Sequence, residues 1–299
     1  METDRLVAVI LNYNTPELSI KLAKKLGGWM INTIVVDNNS KDNSRELLKK
    51  ELDSLDRVRL LFLKENIGYA KGNNAGIAFA IKYFTEIEYI AIINPDIEII
   101  SKESLDNMVK ALKEDDHIAG ITALTIYNNY FYGYNPCATK LLSPGQLIFS
   151  DVYPIKKLIR REYSKFEVVA NNVAYVDKVQ GCFFIMKKNI FSEIGFFDEG
   201  TFLYYEEDII AEKIRQKNMR MGVLLTECIK HNHSLKDIEM QNYNRRKFYN
   251  ECTLQSKKHY MLDVLKTKKS VWRISYIFDF ATRMIKDLFV KLRGNYGYR

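Results

Sequence analysis

The first 125 residues alternate short apolar runs with amphipathic ones. Residues 6–11 (LVAVIL) form a β-branched, nearly unbroken apolar run, the pattern of a strand buried on both faces. Pro16 suits the first turn of a helix. Residues 17–26 place Leu18, Leu22 and Leu26 on one side, and Gly27-Gly28 ends the pattern. Further strands are predicted at 34–36, 58–63, 89–93 and 118–122. Helices are predicted at 43–52 and 72–83, and from Ser101, a capping residue, to about 113. Alternating strands and helices with short connections predict an α/β domain with a doubly wound parallel sheet.

The pattern weakens over residues 128–175. Tyrosines, Pro136, Pro144, Pro154 and a basic run at 156–161 predict an elaborated loop region of the kind that forms lids and binding loops. A strand is expected at 179–186, a helical turn at 190–194, a helix at 208–218 and a short strand at 223–225. Residues 242–265 and 271–292 read as two amphipathic helices. The expected organisation is a main domain over 1–240, in halves 1–125 and 126–240, followed by a helical tail over 241–299.

Charge sharpens that division. Residues 255–299 hold eleven Lys and Arg against three Asp, a local net of +8, which equals the net charge of the whole chain. A near-neutral body with a basic tail excludes a general nucleic-acid surface and favours one local anionic partner. The apolar and cationic mixture at 271–278 and 284–292 fits a segment lying in an anionic membrane interface. The competing expectation is that these helices bury the same residues against the main domain or in a homodimer. No run of about eighteen apolar residues exists, so no membrane span is expected. The charged start, METDR, runs straight into a strand, so no signal peptide is expected. Cys137, Cys182, Cys228 and Cys252 match no metal or disulfide spacing and read as reduced thiols of a cytoplasmic protein.

Neither a GxGxxG nor a GxxxxGK[ST] motif occurs, so the standard dinucleotide and P-loop sites are excluded. The first strand runs instead into Asn12-Tyr13-Asn14, amide and aromatic groups that suit a nucleoside. Asp37-Asn38-Asn39-Ser40 leaves the second strand, and a carboxylate there can accept from a pyrimidine N–H or a ribose hydroxyl; an Asx turn is the plainer alternative. Residues 65–74 (ENIGYAKGNN) put glycines, amides and Lys71 at a loop-to-helix junction, where backbone approaches a ligand and donors face an anion. Asn94-Pro95-Asp96 ends an apolar strand with oxygen ligands suited to Mg²⁺ or Mn²⁺ completed by phosphates. Ligands of open α/β sheets bind at such strand ends. Tyr204-Tyr205-Glu206-Glu207-Asp208 opens a helix; it reads as a general base with a neighbouring acid, or as dipole complementation. His231-Asn232-His233 offers metal or diphosphate contacts.

Taken in order, VILNYN (9–14), VVDNNSKD (35–42), ENIGYAKGNNAG (65–76), NPD (94–96), QGCFFIMKK (180–188), IGFFDEGTFLYYEED (194–208) and HNHS (231–234) resemble family 2 glycosyltransferases. Within that family the chain is most similar to bacterial rhamnosyltransferase-type enzymes of surface-polysaccharide synthesis. The resemblance implies a GT-A fold with a mixed, mainly parallel sheet, helices on both faces and added C-terminal helices. Residues 1–125 would bind the nucleotide sugar, and 126–240 the acceptor.

The resemblance also implies roles. Asp37 is expected to bind the pyrimidine, with Asn12, Asn14, Asn39, Gly68, Lys71 and Asn74 lining the nucleotide. Asp96, Asn94 and His231 are expected to hold Mn²⁺ or Mg²⁺, His233 being the alternative histidine. Asp208 is the expected base and Glu207 its partner, although the third acid leaves room for a shift by one position. Gly181, Asp198 and Tyr205 are expected near the sugars. The implied reaction is inverting hexosyl transfer from a nucleotide-diphosphate sugar, first dTDP-rhamnose and second UDP-galactose or UDP-glucose, to a glycan or lipid-linked glycan. A catalytically inactive sugar-nucleotide-binding protein is the alternative of another class. The expected location is cytoplasmic, at the inner face of the plasma membrane.

Overall fold

The computed structural model describes residues 2–127, 138–152, 155, 167–168, 171–232 and 243–294. Cys137, the basic run 156–161 and His233 lie outside the described residues. The first half runs β1 (Leu6–Asn12), α1 (Pro16–Gly28), β2 (Asn32–Asp37), α2 (Ser44–Leu52), β3 (Val58–Phe62), α3 (Tyr69–Tyr83), β4 (Tyr89–Ile93), β5 (Ile97–Ile99), α4 (Lys102–Glu114) and β6 (Ile118–Tyr127). The second half runs β7 (Ala138–Thr139), α5 (Pro144–Phe149), β8 (Glu167–Val168), β9 (Val173–Val176), β10 (Lys178–Val179), β11 (Phe183–Lys187), α6 (Lys188–Glu193), α7 (Glu206–Gln216) and β12 (Arg220–His231). Helix α8 (Tyr243–His259) continues into a π-helical turn, Tyr260–Val264, and α9 (Lys269–Gly294) follows.

The main sheet has the order β3-β2-β1-β4-β11-β6-β12-β9-β8, with β5 paired to β12. Strands β3, β2, β1 and β4 are parallel, as the apolar runs require. The strand–helix alternation places β6 next to β4, and the structure corrects that adjacency: antiparallel β11 sits between them, which makes the sheet mixed and mainly parallel, as the resemblance implies. Side chains alternate to two cores. Leu6, Ala8 and Ile10 meet Leu22 and Leu26 of α1, Leu48 of α2 and Val109 of α4. Val7 and Val9 meet Ala70, Ile77 and Ala80 of α3 and Ile210 of α7. Two glycines bring α3 flush onto the sheet. A Cβ on Gly72 would lie 2.7 Å from Leu11, and one on Gly76 would lie 2.6 Å from Val9 and 2.7 Å from Val36.

The stretch expected as an elaborated loop region carries β7, α5, β8 and β9. Two further elements differ from the sequence reading for identifiable reasons. Strand β12 is twelve residues long, not three. It runs past a register shift between Leu224 and Cys228 and carries polar residues on its later half, which hides it from an apolar-run search. The three-residue β5 was not expected. It follows β4 directly yet pairs with β12, bypassing β11 and β6, and sets Ile97 opposite His231.

The C-terminal helices pack on the body. Leu147 of α5, Ile209 of α7, Tyr260 and Met261 form a third core cluster. Lys257 and Asp279, 0% and 1% exposed, form an ion pair at 2.8 Å that ties α8 to α9. Breaking one side of such a pair leaves a buried charge, which fixes the mutual register of the two helices. None of the described helices is long and apolar enough to cross a membrane.

Candidate active site

Three parallel strands end level with one another, and each delivers a polar residue. Asn12 and Asp37 are register partners at the ends of β1 and β2. Asp37, 4% exposed, accepts from Asn12 Nδ2 at 2.9 Å and from Ser40 Oγ at 2.6 Å. Asn12 Oδ1 accepts from Ser19 Oγ of α1 at 2.8 Å. Asn14 and Asn39 take left-handed backbone, φ 57° and 59°, which asparagine tolerates. The Asn14 amide donates to Ser40 Oγ at 2.9 Å, and Asn14 Oδ1 accepts from the Lys41 amide at 2.7 Å. Residues 12, 14 and 37 therefore form one polar cup with Ser40, a residue that the sequence reading did not single out.

The loop before α3 is fixed from two sides. Asn38 accepts from the Ile67 amide at 3.1 Å and donates to the Gly68 carbonyl at 3.1 Å. Gly68 has φ 88°, and a Cβ there would lie 2.5 Å from the carbonyl oxygen of Phe202. Only glycine meets both demands. The Tyr69 amide donates to that same oxygen at 2.8 Å. Lys71 is exposed on the first turn of α3. Asn74 holds the 197–199 segment. It accepts from the Phe197 amide at 3.1 Å and donates to the Phe197 carbonyl and the Glu199 carboxylate, each at 3.0 Å. The expected nucleotide-lining role of Gly68 and Asn74 is thus accompanied by a packing role that residue types alone did not reveal.

Asp96 meets His231 because β5 crosses to β12. Asp96 Oδ2 lies 3.1 Å from His231 Nε2, and the Asn232 amide donates to the Asp96 carbonyl at 3.0 Å. Asn94 faces another way. The Tyr69 hydroxyl lies 3.1 Å from Asn94 Oδ1 and 2.7 Å from the Gly181 carbonyl oxygen. Burial, and then the Glu207 charge, hold the Tyr69 phenol well above its ordinary value, so it stays a proton donor. Among the described residues no group of three or more His, Cys, Asp and Glu is placed to hold a metal ion. One carboxylate beside one imidazole is still a fitting donor set for a divalent cation whose remaining ligands are phosphate oxygens and water.

The three acids open α7, where the first turn favours negative charge. They point in different directions. Glu207 Oε1 accepts from the Gly181 amide at 3.1 Å, which brings it beside Asn94, whose own amide donates to the Cys182 carbonyl at 2.8 Å. A Cβ on Gly181 would lie 3.0 Å from that carboxylate, so the glycine permits the approach. Burial pushes the Glu207 carboxyl above its ordinary value, against the pull of the Lys178 ammonium, and the Asp208 charge adds to the rise. Asp208 is instead held by Lys178 Nζ of β10 at 2.8 and 2.9 Å. Lys178 lies thirty residues upstream on β10, and no local sequence signal links the two.

Glu206 is buried against Thr201, and burial, with the Glu207 charge second, raises its carboxyl to about 8. A raised acid makes the folded state hold a proton that the unfolded chain has lost. Its stabilising contribution is complete below the ordinary carboxyl range near 4.5 and is lost as pH rises to about 8. Glu206→Gln is therefore expected to raise the melting temperature at pH 8 by a few degrees, roughly 2–4 °C per kcal/mol recovered, and to raise it less at pH 5. Equal shifts at the two pH values in differential scanning fluorimetry would contradict this.

Backbone strain and the tail meet at the same turn. Tyr204 and Tyr205 both sit at positive φ, 75° and 69°, a costly arrangement for aromatic residues. The turn is braced by α8. Ser256 Oγ donates to the Leu203 carbonyl at 2.9 Å, and the Tyr205 ring lies 5.6 Å from that of Tyr260. Tyr205, expected near a sugar, is thus packed in the third core cluster. Asp198, expected likewise, accepts from the Gly200 amide at 2.9 Å and lies 2.8 Å from His259 Nε2 of α8. His259 and Ser256 were not anticipated as site-bracing residues, because the sequence reading treated residues 241–299 as a separate tail.

This topology, with polar strand ends facing an acid-bearing helix, is the GT-A fold. The structure overlays GalNAc-T7, solved with UDP, GalNAc and Mn²⁺, with a TM-score of 0.56 at 15% identity over 77% of this chain and 44% of that one. It overlays the Pyrobaculum calidifontis mannosyltransferase PcManGT, solved with GDP-Man and Mn²⁺, with a TM-score of 0.56 at 14% identity over 93% and 73% of the two chains. Residues 30–195 match the model of glycosyl transferase family 2, and the chain belongs to that family. Two curated relatives are each 26% identical to it. The Haloferax volcanii low-salt glycan biosynthesis hexosyltransferase Agl10 aligns over 219 residues, and the Streptococcus pneumoniae glycosyltransferase GlyG over 166. The alignments cover 73% and 56% of this chain, and 64% and 50% of those relatives.

Proposed function

We propose that this chain transfers a hexose from a nucleotide-diphosphate sugar to a hydroxyl of a glycan or lipid-linked glycan, with inversion at the anomeric carbon. The observation that carries this is the run of contacts from Asn94, through the Tyr69 hydroxyl and the Gly181 peptide, to the Glu207 carboxylate. It sets an acid of raised proton affinity in a chain of contacts that reaches Asn94 at the end of β4, two residues before Asp96, the neighbour of His231. We assign the base to Glu207 and move it one residue from the sequence expectation, because Asp208 is already paired with Lys178. Glu207 takes the proton of the acceptor hydroxyl, which attacks C1 of the donor sugar from the face opposite the leaving diphosphate. Asp37 and Asn12 bind the nucleoside. Asp96 and His231 would hold Mn²⁺ or Mg²⁺, and Lys71 would add positive charge for the diphosphate. The cation, when bound, neutralises the charge that develops on the leaving diphosphate.

The names of the matched proteins support a nucleotide-sugar donor and a hexosyl group. The family resemblance favours dTDP-rhamnose first and a UDP-hexose second. The test is a panel of nucleotide sugars incubated with the protein and Mn²⁺, with released nucleoside diphosphate as the readout. One donor is expected to be hydrolysed well above the others. No release from any donor, together with tight binding of one of them, would support the inactive sugar-nucleotide-binding alternative.

A further inference from the structure

Helix α9 is turned inside out for a water-soluble protein. The residues it buries are polar: Ser275 is fully buried, and Asp279 pairs with Lys257. The residues it presents outward are apolar. Ile277, Met284 and Phe280 are 63%, 59% and 53% exposed, and Ile274 and Ile285 lie on the same outer surface. An amphipathic helix packed on a core normally shows the reverse. The buried Lys257–Asp279 pair favours this orientation, since rotating α9 to hide its apolar side would strand the Asp279 carboxylate and leave Lys257 only Asp151, 3.9 Å away.

Over residues 266–285 every exposed charge is positive. From residue 266 to 285 the chain carries Lys266, Lys268, Lys269, Arg273 and Arg283, and its single carboxylate, Asp279, is buried. Beside the stripe, α8 and α9 line an open groove of about 520 Å³ that combines Lys258 and Arg273 with Leu254, Trp272, Tyr276 and Ile277. A second copy of the chain docking on the same face would set these cations against one another, with no exposed carboxylate on this stretch to answer them. An apolar stripe bordered by cations matches the boundary between acyl chains and anionic headgroups.

We propose that the outer face of α9, with the α8–α9 groove, docks on an anionic lipid bilayer. Because α8 also braces the Tyr204–Tyr205 turn and holds Asp198, the bilayer surface and the acid-bearing turn lie on one rigid support. The face is defined without reference to the chemistry, so it stands or falls separately from the proposed transfer.

The test is flotation of the full-length protein with phosphatidylcholine vesicles, with and without phosphatidylglycerol, at low and high salt. Binding is expected only with phosphatidylglycerol, and is expected to weaken at high salt. Arg273→Ser and Lys258→Ser are each expected to lower it about fivefold. The double variant Ile277→Asp/Phe280→Asp changes only exposed side chains and is expected to stay out of the lipid fraction while releasing nucleoside diphosphate from the donor at the wild-type rate. Three results would overturn the proposal: wild-type protein that stays in the supernatant at low salt, binding that is indifferent to lipid charge, or a dimer in light scattering that the double variant turns into monomers.

Discussion

Replacing Glu207 with glutamine is expected to lower kcat by about 10²–10⁴-fold, the usual contribution of a general base. Donor binding should hardly change, because the amide keeps a carbonyl oxygen to accept from the Gly181 amide. Asp208→Asn gives the contrasting result. It removes the charge that Lys178 neutralises, so it is expected to lower stability and to leave a substantial part of kcat in the molecules that remain folded. Steady-state rates read beside melting curves separate the two. An inactive Asp208→Asn with an unchanged melting temperature, beside an active Glu207→Gln, would return the base to Asp208. The raised proton affinity of Glu207 adds a pH signature. Activity should climb with pH through a midpoint above the ordinary carboxylate range, since the base works only when deprotonated.

The second large effect concerns Asp96. Chelation is expected to abolish transfer, and Mn²⁺ or Mg²⁺ to restore it. Asp96→Ala should reduce kcat/KM by about 10²-fold or more, the scale of the charge stabilisation a bound cation provides. The same change leaves the buried His231 imidazole without its carboxylate neighbour, so a stability loss of roughly 1–3 kcal/mol is expected as well. Raising the metal concentration should recover part of the activity of Asp96→Asn and none of that of Asp96→Ala. Full activity of Asp96→Ala in the presence of chelator would remove the metal from the account.

The parallel half of the sheet was legible because strands buried on both faces read as unbroken apolar runs, as residues 6–11 and 89–93 do. The strand ends were legible too, since an apolar run that stops in Asp or Asn announces itself. What was hidden depended on distant pairing. Strand β11 inserts between β4 and β6 although it starts 56 residues after the end of β6 and 90 after the end of β4, and β5 is too short to carry a pattern. Lys178 and Asp208 share no local spacing. The glycines and asparagines of residues 65–76 were correctly seen as unusual. Their first explanation is steric, however: Gly72 and Gly76 lie against Leu11, Val9 and Val36, Gly68 lies against Phe202, and Asn74 holds Phe197. Helix α9 is the opposite case. Its apolar stripe was compatible with a membrane interface and with burial against the body, and only the fold shows that Ser275 and Asp279 are buried while Ile277 and Phe280 stay outside.

In the proposed reaction, Asp37, Asp96 and His231 together form one nucleotide-diphosphate site beside Glu207. Diffraction from crystals grown with Mn²⁺ and either UDP or dTDP tests it most directly. An anomalous manganese peak bonded to Asp96, His231 and the diphosphate is expected, with the pyrimidine against Asp37 and the outer phosphate directed toward Glu207. A nucleotide bound away from the ends of β1, β2 and β4, or a manganese peak that touches neither Asp96 nor His231, would contradict it.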